Sequence, residues 1–156
     1  MGFADLPGLA KSAIEKLAKQ NEATARFGDA LFANTPAEQF CVDALAGLEC
    51  KGFIDEQEVD ERFKARPELM PNTLSDCLHE LAYWSALYWL RNAFEPMDNG
   101  AEATARSWFV FRSLARIRAR TKDEAIAVFR YLADDEQINN TETEAILLNL
   151  IGNTST

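Results

Sequence analysis

The stretch that decides the fold of this chain is LAYWSALYWL, residues 81–90, which carries no charge on any side. Thr73 or Asn72 can cap a helix that contains this stretch, and Pro96 lies just beyond its expected end. A helix that is apolar all round is normally surrounded by other helices. The stretch is also far shorter than the roughly 20 apolar residues that a membrane span requires. We therefore expect a central core helix over about 73–94 in a soluble protein.

Signals for helix starts recur on both sides of this stretch. Capping boxes, in which a threonine precedes a glutamate by three positions, begin at Thr35, Thr121 and Thr141. Asp55 can cap a further helix that runs through Lys64. Because no segment shows a sustained alternation of apolar and polar residues, strands are not expected. The sequence therefore predicts an all-α, single-domain bundle of six or seven helices around the central apolar helix.

Some of the predicted helix boundaries depend on weaker signals. Apolar residues at helical spacing predict a first helix over about 6–26. The helix that begins at the Thr35 box is expected to extend to about Leu48, with Gly52 as a left-handed cap. A later helix is expected over about 102–120, again from the spacing of its apolar residues.

Length and composition indicate one compact unit. The chain has 156 residues, of which 47% are hydrophobic, so it can bury one core. We expect a single domain over 1–156 whose ends, 1–5 and 153–156, are frayed. The N-terminus lacks the basic region and apolar run of a secretory signal. Three cysteines are too few, and an odd number, for a disulfide framework. These features predict a cytoplasmic protein with reduced thiols.

The charge of the chain is unevenly distributed. The formal net charge is −9. Residues 101–122 contain one acid and six bases, which gives this segment +5 and leaves −14 for the rest of the chain. An acidic protein repels the phosphate backbone of nucleic acids. Direct binding to nucleic acid is therefore not expected, and no segment is suited to binding within a membrane.

The basic segment has an amphipathic pattern when it is placed on a helix at roughly 100° per residue. Arg112, Arg116 and Arg120 form one stripe, with Phe109 on the same side and Trp108 at its edge. Arginines among aromatic side chains can bind a phosphate, a carboxylate or a protein surface. The alternative is that these arginines pair with the chain's own acids. We favour this alternative, because domains that bind nucleic acid through arginines are usually basic overall and this chain is acidic. If the stripe binds a partner, an acidic protein surface is a better candidate than DNA.

Acidic side chains form a second candidate contact surface. Negative charge near a helix N-terminus suits the helix dipole, so a solvated helix start explains much of this cluster. The same carboxylates could also oppose a basic partner. The candidates are Asp55, Glu56, Glu58, Asp60, Glu61, Asp134, Asp135 and Glu136.

Sites for catalysis, metals or cofactors have little support in the sequence. The one histidine, His79, lies two residues after Cys77, but a zinc site normally needs four protein ligands, or three and a water. No nucleophile elbow, P-loop or glycine-rich dinucleotide motif is present. Residues 52–63 lack the ligand order of a calcium loop. We therefore expect no cofactor and no metal, and we assign no catalytic residue.

Aromatic side chains on the central helix leave one alternative open. Tyr83, Trp84 and Tyr88 could line a pocket between helices for a small ligand or a substrate, with His79 as an acid–base group. Aromatic residues in an uncharged helix are, however, more often part of the core.

The leading hypothesis is a non-enzymatic, acidic, helical module that binds a protein. Inhibitors of toxins, nucleases or defence complexes fit this description, since they need a complementary charged surface and no catalytic group. Their acidic faces can occupy the basic channels that nucleic acid would otherwise use. A homo-oligomer, in which the acidic body of one copy meets the basic helix of another, is compatible with the same charges.

Overall fold

The computed structural model describes residues 15–22, 32–49, 54–134 and 142–152. Within these ranges the chain forms helices and no strand. The helices are α1 (residues 15–22), α2 (Pro36–Ala44), α3 (Glu56–Lys64), α4 (Leu74–Asn92), α5 (Ala101–Ser113), α6 (Lys122–Asp134) and α7 (Thr143–Gly152), and a 3-10 turn (Pro67–Leu69) precedes α4. The predicted all-α bundle of six or seven helices is therefore confirmed.

Helix α5 packs against three other helices of the described bundle. It contacts α2, α3 and α4, while α4 also contacts α6, and α6 contacts α7. Its side chains Phe109 and Val110, together with Leu114 just beyond its end, are fully buried. Phe63 of α3 and Leu74 of α4 close the same core. The basic segment of the sequence thus lies at the centre of the packing.

Helix α4 is buried along one side only, although its middle is apolar all round. Leu81, Trp84 and Leu87 recur every three residues and are buried. Tyr83 and Trp89 lie on other sides of the helix and are exposed, Trp89 by 69%. An uncharged middle therefore does not mean that α4 is covered by other helices on every side. None of the described helices is long and apolar enough to span a membrane.

The predicted caps account for the starts of α2, α3 and α4. Thr35 and Thr73 form capping boxes, in which each threonine hydroxyl accepts a backbone N–H and an acid three positions later accepts the threonine's own N–H. Asp55 accepts the N–H groups of Gln57 and Glu58 at the start of α3. These caps satisfy donors that have no partner within a helix.

Two helix ends differ from the prediction. Helix α2 ends at Ala44 rather than near Leu48, and Gly47 takes a left-handed conformation with φ of 84°. Helix α5 ends at Ser113 rather than near residue 120. The next three N–H groups bond to carbonyls three residues earlier, and the Ser113 hydroxyl bonds to the Phe109 carbonyl at 2.8 Å. Tighter turns therefore replace the last part of the expected helix.

Some predictions concern positions outside the described residues. These are the frayed ends at 1–5 and 153–156, the parts of the predicted first helix (about 6–26) outside 15–22, the Gly52 cap, the Thr141 capping box, and two of the acidic contact candidates, Asp135 and Glu136.

Candidate functional site: acidic surfaces and an internally paired arginine stripe

Two arginines of the predicted stripe bind a carboxylate of α3. Arg112 Nη2 donates to Asp60 Oδ1 at 2.5 Å, and Arg116 Nη1 lies 3.5 Å from Asp60 Oδ2. Arg112 Nη1 also lies 3.8 Å from Glu56 Oε1. The Arg112 side chain is only 14% exposed. Both acids were predicted as partner contacts. Asp60 faces α5 and joins the two helices, whereas the Glu56 side chain stays 65% exposed.

The third arginine of the stripe binds the first turn of α6. Arg120 Nη2 donates to Glu124 Oε2 at 2.7 Å, and the Arg120 backbone N–H donates to Glu124 Oε1 at 3.1 Å. The Ser75 hydroxyl donates to the same carboxylate at 2.8 Å. Burial alone would raise the pKa of Glu124, but these hydrogen bonds outweigh it and lower that pKa to about 2. All three arginines of the stripe are thus paired within the chain, as the favoured alternative describes.

Phe109 does not belong to the exposed stripe. It is fully buried, and its ring lies 5.2 Å from the ring of Phe63. The prediction of Phe109 as a surface contact is therefore wrong for this fold, because α3 covers this side of α5. The Arg116 guanidinium lies 5.5 Å from the Phe109 ring. Trp108, at the edge of the stripe, is 43% exposed.

The outer side of α3 carries the remaining carboxylates of the acidic segment. Asp55, Glu58 and Glu61 line a shallow depression of about 470 Å³ together with Arg62. Arg62 pairs with Glu58 at 3.5 Å, and both side chains are about 40% exposed, which makes this a weak ion pair. Asp55 and Glu61 make no ion pair among the described residues. We call the surface of Asp55, Glu58 and Glu61 the outer face of α3.

Asp134 is exposed at the end of α6. No contact joins it to the outer face of α3 among the described residues. Among the described residues, the predicted acids therefore comprise a half-buried Asp60 that faces α5, an exposed Glu56 beside Arg112, the outer face of α3, and Asp134 at the end of α6.

Two ion pairs that involve buried arginines were not predicted from the sequence. Arg91 of α4 bonds to Glu38 of α2 through two parallel contacts of 2.7 and 2.9 Å, and both side chains are at least nine-tenths buried. Burial would raise the pKa of Glu38, but Arg91 and the Thr35 N–H outweigh that effect and lower it. Helical spacing could have predicted the burial of Arg91, because Arg91 follows Leu87 by four positions and therefore lies on the same, buried side of α4.

The second pair involves Arg106, which is 1% exposed. Its Nε and Nη2 bond to the two carboxylate oxygens of Glu80 at 2.9 and 2.8 Å. Its guanidinium carbon lies 4.9 Å from the ring of Phe63 and 5.2 Å from the ring of Phe109, with Phe40 at 5.7 Å. Arg106 precedes Val110 by four positions, so the helical wheel places it on the apolar side. That position is the signal for burial.

The predicted aromatic pocket is not a single cavity. His79 and Tyr83 line an open groove of about 550 Å³ beside the 3-10 turn. Trp84 and Tyr88 line a different open groove of about 640 Å³ between α4, α5 and Tyr131 of α6. His79 is exposed and Cys77 is fully buried, so the Cys-x-His pair is not brought together.

The buried cysteines have environments that disfavour the thiolate. Cys41 and Cys77 are 1% and 0% exposed, and burial raises the pKa of each to about 12. Among the described residues, no group of three or more His, Cys, Asp or Glu side chains is placed to hold a metal ion.

No protein-family model, curated protein or solved structure matches this chain.

Proposed function

We propose that this protein is a non-enzymatic, acidic, helical module that binds a protein through the outer face of α3. It acts as an inhibitor or antagonist of the immunity, antitoxin or anti-defence type. Its target carries a basic surface, such as a channel that otherwise binds nucleic acid. We expect it to act in the cytoplasm.

The proposal rests on one observation, which is that the acidic side chains of α3 face two different sides of the helix. Arg112 of α5 and Arg116 just beyond its end bond to Asp60, on the side of α3 that packs against α5, and Arg112 also lies near the exposed Glu56. The opposite side presents Asp55, Glu58 and Glu61 to solvent, and among the described residues Arg62 is the one base that lines the same depression. Charge of one sign on an accessible helix face speeds association with a partner of opposite sign and disfavours wrong partners.

The proposal can be tested with two charge-matched variants. Glu58→Gln with Glu61→Gln removes two charges from the outer face of α3. Glu95→Gln with Glu144→Gln removes two charges from exposed positions elsewhere. Tagged wild-type and variant proteins are used to capture partners from the native cell, followed by quantitative mass spectrometry.

We expect one stoichiometric partner that the wild type and the Glu95/Glu144 variant recover equally and the Glu58/Glu61 variant recovers poorly. Adding the wild-type protein to the purified partner should also reduce that partner's binding of nucleic acid in a mobility-shift assay. Equal recovery by both variants would remove the outer face of α3 from the proposal. Direct binding of DNA or RNA by this protein at low salt would instead favour a nucleic-acid binder.

A further inference from the structure

The groove beside the 3-10 turn combines an apolar wall with a charged rim. Leu69 and Met70 line one side of the groove, and Pro36 at the start of α2 also lines it. The opposite wall is the outward side of α4, where Glu80 and Tyr83 lie one turn apart. Leu69 is 49% exposed, although its side chain is large and apolar.

A buried arginine fixes the two walls of this groove relative to each other. Arg106 Nη2 donates to the Leu69 carbonyl at 2.6 Å and to Glu80 Oε1 at 2.8 Å. The Arg106 side chain is 2% exposed, whereas the Glu80 side chain remains 27% exposed. Because one rigid guanidinium bonds to both walls, the groove is held open before any partner binds.

The charge of the groove favours a cationic occupant. Glu68, Asp76 and Glu80 all line it, and the carboxylate of Glu68 is exposed and makes no ion pair among the described residues. In the part of the chain that the structure describes, Arg106 is the one arginine bonded to a carboxylate of the groove, so negative charge remains in excess. Tyr83 is 37% exposed and also contacts Trp84 edge to face, and its aromatic ring is a group on which a guanidinium can stack.

We propose that this groove binds an extended segment of a partner protein in which an arginine stands beside an apolar residue. The apolar residue packs against Leu69, and the arginine contacts Glu68 and the face of Tyr83. This surface is different from the outer face of α3, and the inference stands or falls separately from the proposed function.

The test uses two capped tripeptides, Leu-Arg-Leu and Leu-Glu-Leu, which match in apolar content and differ in the sign of one charge. Each is titrated into the isotope-labelled 156-residue chain, and backbone amide shifts are followed by NMR. We expect Leu-Arg-Leu to shift amides of residues 68–71 and 76–83 in a saturable way. We expect Leu-Glu-Leu to bind at least several-fold more weakly.

Variants separate the groove from the rest of the acidic surface. Glu68→Gln should weaken Leu-Arg-Leu binding by about two- to five-fold, as expected for one exposed charge. Leu69→Ala should weaken both peptides, while its backbone carbonyl still accepts the bond from Arg106. Glu61→Gln, on the outer face of α3, should leave the affinity of Leu-Arg-Leu unchanged.

Three results would overturn the inference. They are equal binding of the two peptides, shifts that map to the outer face of α3 instead of the groove, and the absence of shifts at residues 68–71 and 76–83 at millimolar peptide. Shifts confined to the outer face of α3 would still agree with the proposed function, so the two ideas fail independently.

Discussion

Replacing Glu38 by Gln removes the charge from a buried carboxylate that contacts two nitrogens of Arg91. Glu38 Oε1 accepts from Arg91 Nη2 and from the Thr35 N–H, and Glu38 Oε2 accepts from Arg91 Nη1. The Gln side chain has the same shape, but its amide nitrogen can only donate. One of the two contacts with Arg91 therefore becomes a contact between two donors.

The expected loss of stability follows from the burial of the pair. The side chains of Arg91 and Glu38 are only 5% and 7% exposed, so solvent cannot replace the missing charge. Removing one partner of a buried ion pair costs about 3–5 kcal/mol, because the other charge remains desolvated and uncompensated. Small domains have a total free energy of unfolding of about 5–15 kcal/mol. Glu38→Gln should therefore remove a large share of the stability.

The assay is chemical denaturation of four proteins at pH 7: the wild type, Glu38→Gln, Arg91→Met, and the double variant. Each single variant leaves one buried charge without its partner, whereas the double variant leaves none. The double variant should therefore lose less stability than the two single losses added together, by at least about 1 kcal/mol. A Glu38→Gln variant within about 1 kcal/mol of the wild type, or strict additivity, would refute the reasoning.

Three further predictions concern other described contacts. Glu124→Gln should be less stable than the wild type at pH 7. The difference in free energy of unfolding should be constant above pH 4.5 and shrink toward pH 2, because the pKa of Glu124 is lowered from 4.5 to about 2. Chemical denaturation at several pH values measures this difference. In a Cys50→Ser variant, Cys41 and Cys77 should resist a thiol reagent at pH 8 until the chain unfolds, since a pKa of about 12 leaves roughly one thiol in ten thousand ionised. Asp60→Asn should lower the free energy of unfolding by about 1–3 kcal/mol, because Asp60 accepts bonds from two arginines.

Each of these three predictions has its own contrary result. A difference for Glu124→Gln that grows as the pH falls would contradict the lowered pKa. Rapid modification of both thiols in the folded protein would contradict their burial. For Asp60→Asn the matched control is Glu61→Gln, which should change stability by less than about 0.5 kcal/mol because Glu61 is exposed. Equal effects of the two variants would contradict the inward direction of Asp60.

The starts of the helices were predictable because each one is decided within a single turn. Thr35 and Thr73 cap through side chains three positions away, and Asp55 caps through N–H groups two and three positions away. The end of α5 was less predictable. Residues 114–120 have helical spacing, yet tighter hydrogen bonds and the Ser113 hydroxyl end the helix earlier.

The contact surfaces were predictable only in part. The sequence places Arg112, Arg116 and Arg120 on one stripe, but it does not say which acids they meet. Asp60 lies 52 positions from Arg112 along the chain, and their contact exists because α3 packs on α5. The same packing buries Phe109 and leaves the outer face of α3 exposed.

The sequence by itself determined that this chain is helical, where most helices begin, and that its charge is divided between a basic segment and an acidic remainder. These properties depend on hydrogen bonds within one turn and on composition, which a linear chain already contains. Only the tertiary structure decided which charges turn inward, that Arg91 and Arg106 are buried in ion pairs, and which grooves lie open. The exposure of a side chain and the partner of an ion depend on residues tens of positions away, and packing alone brings those residues together.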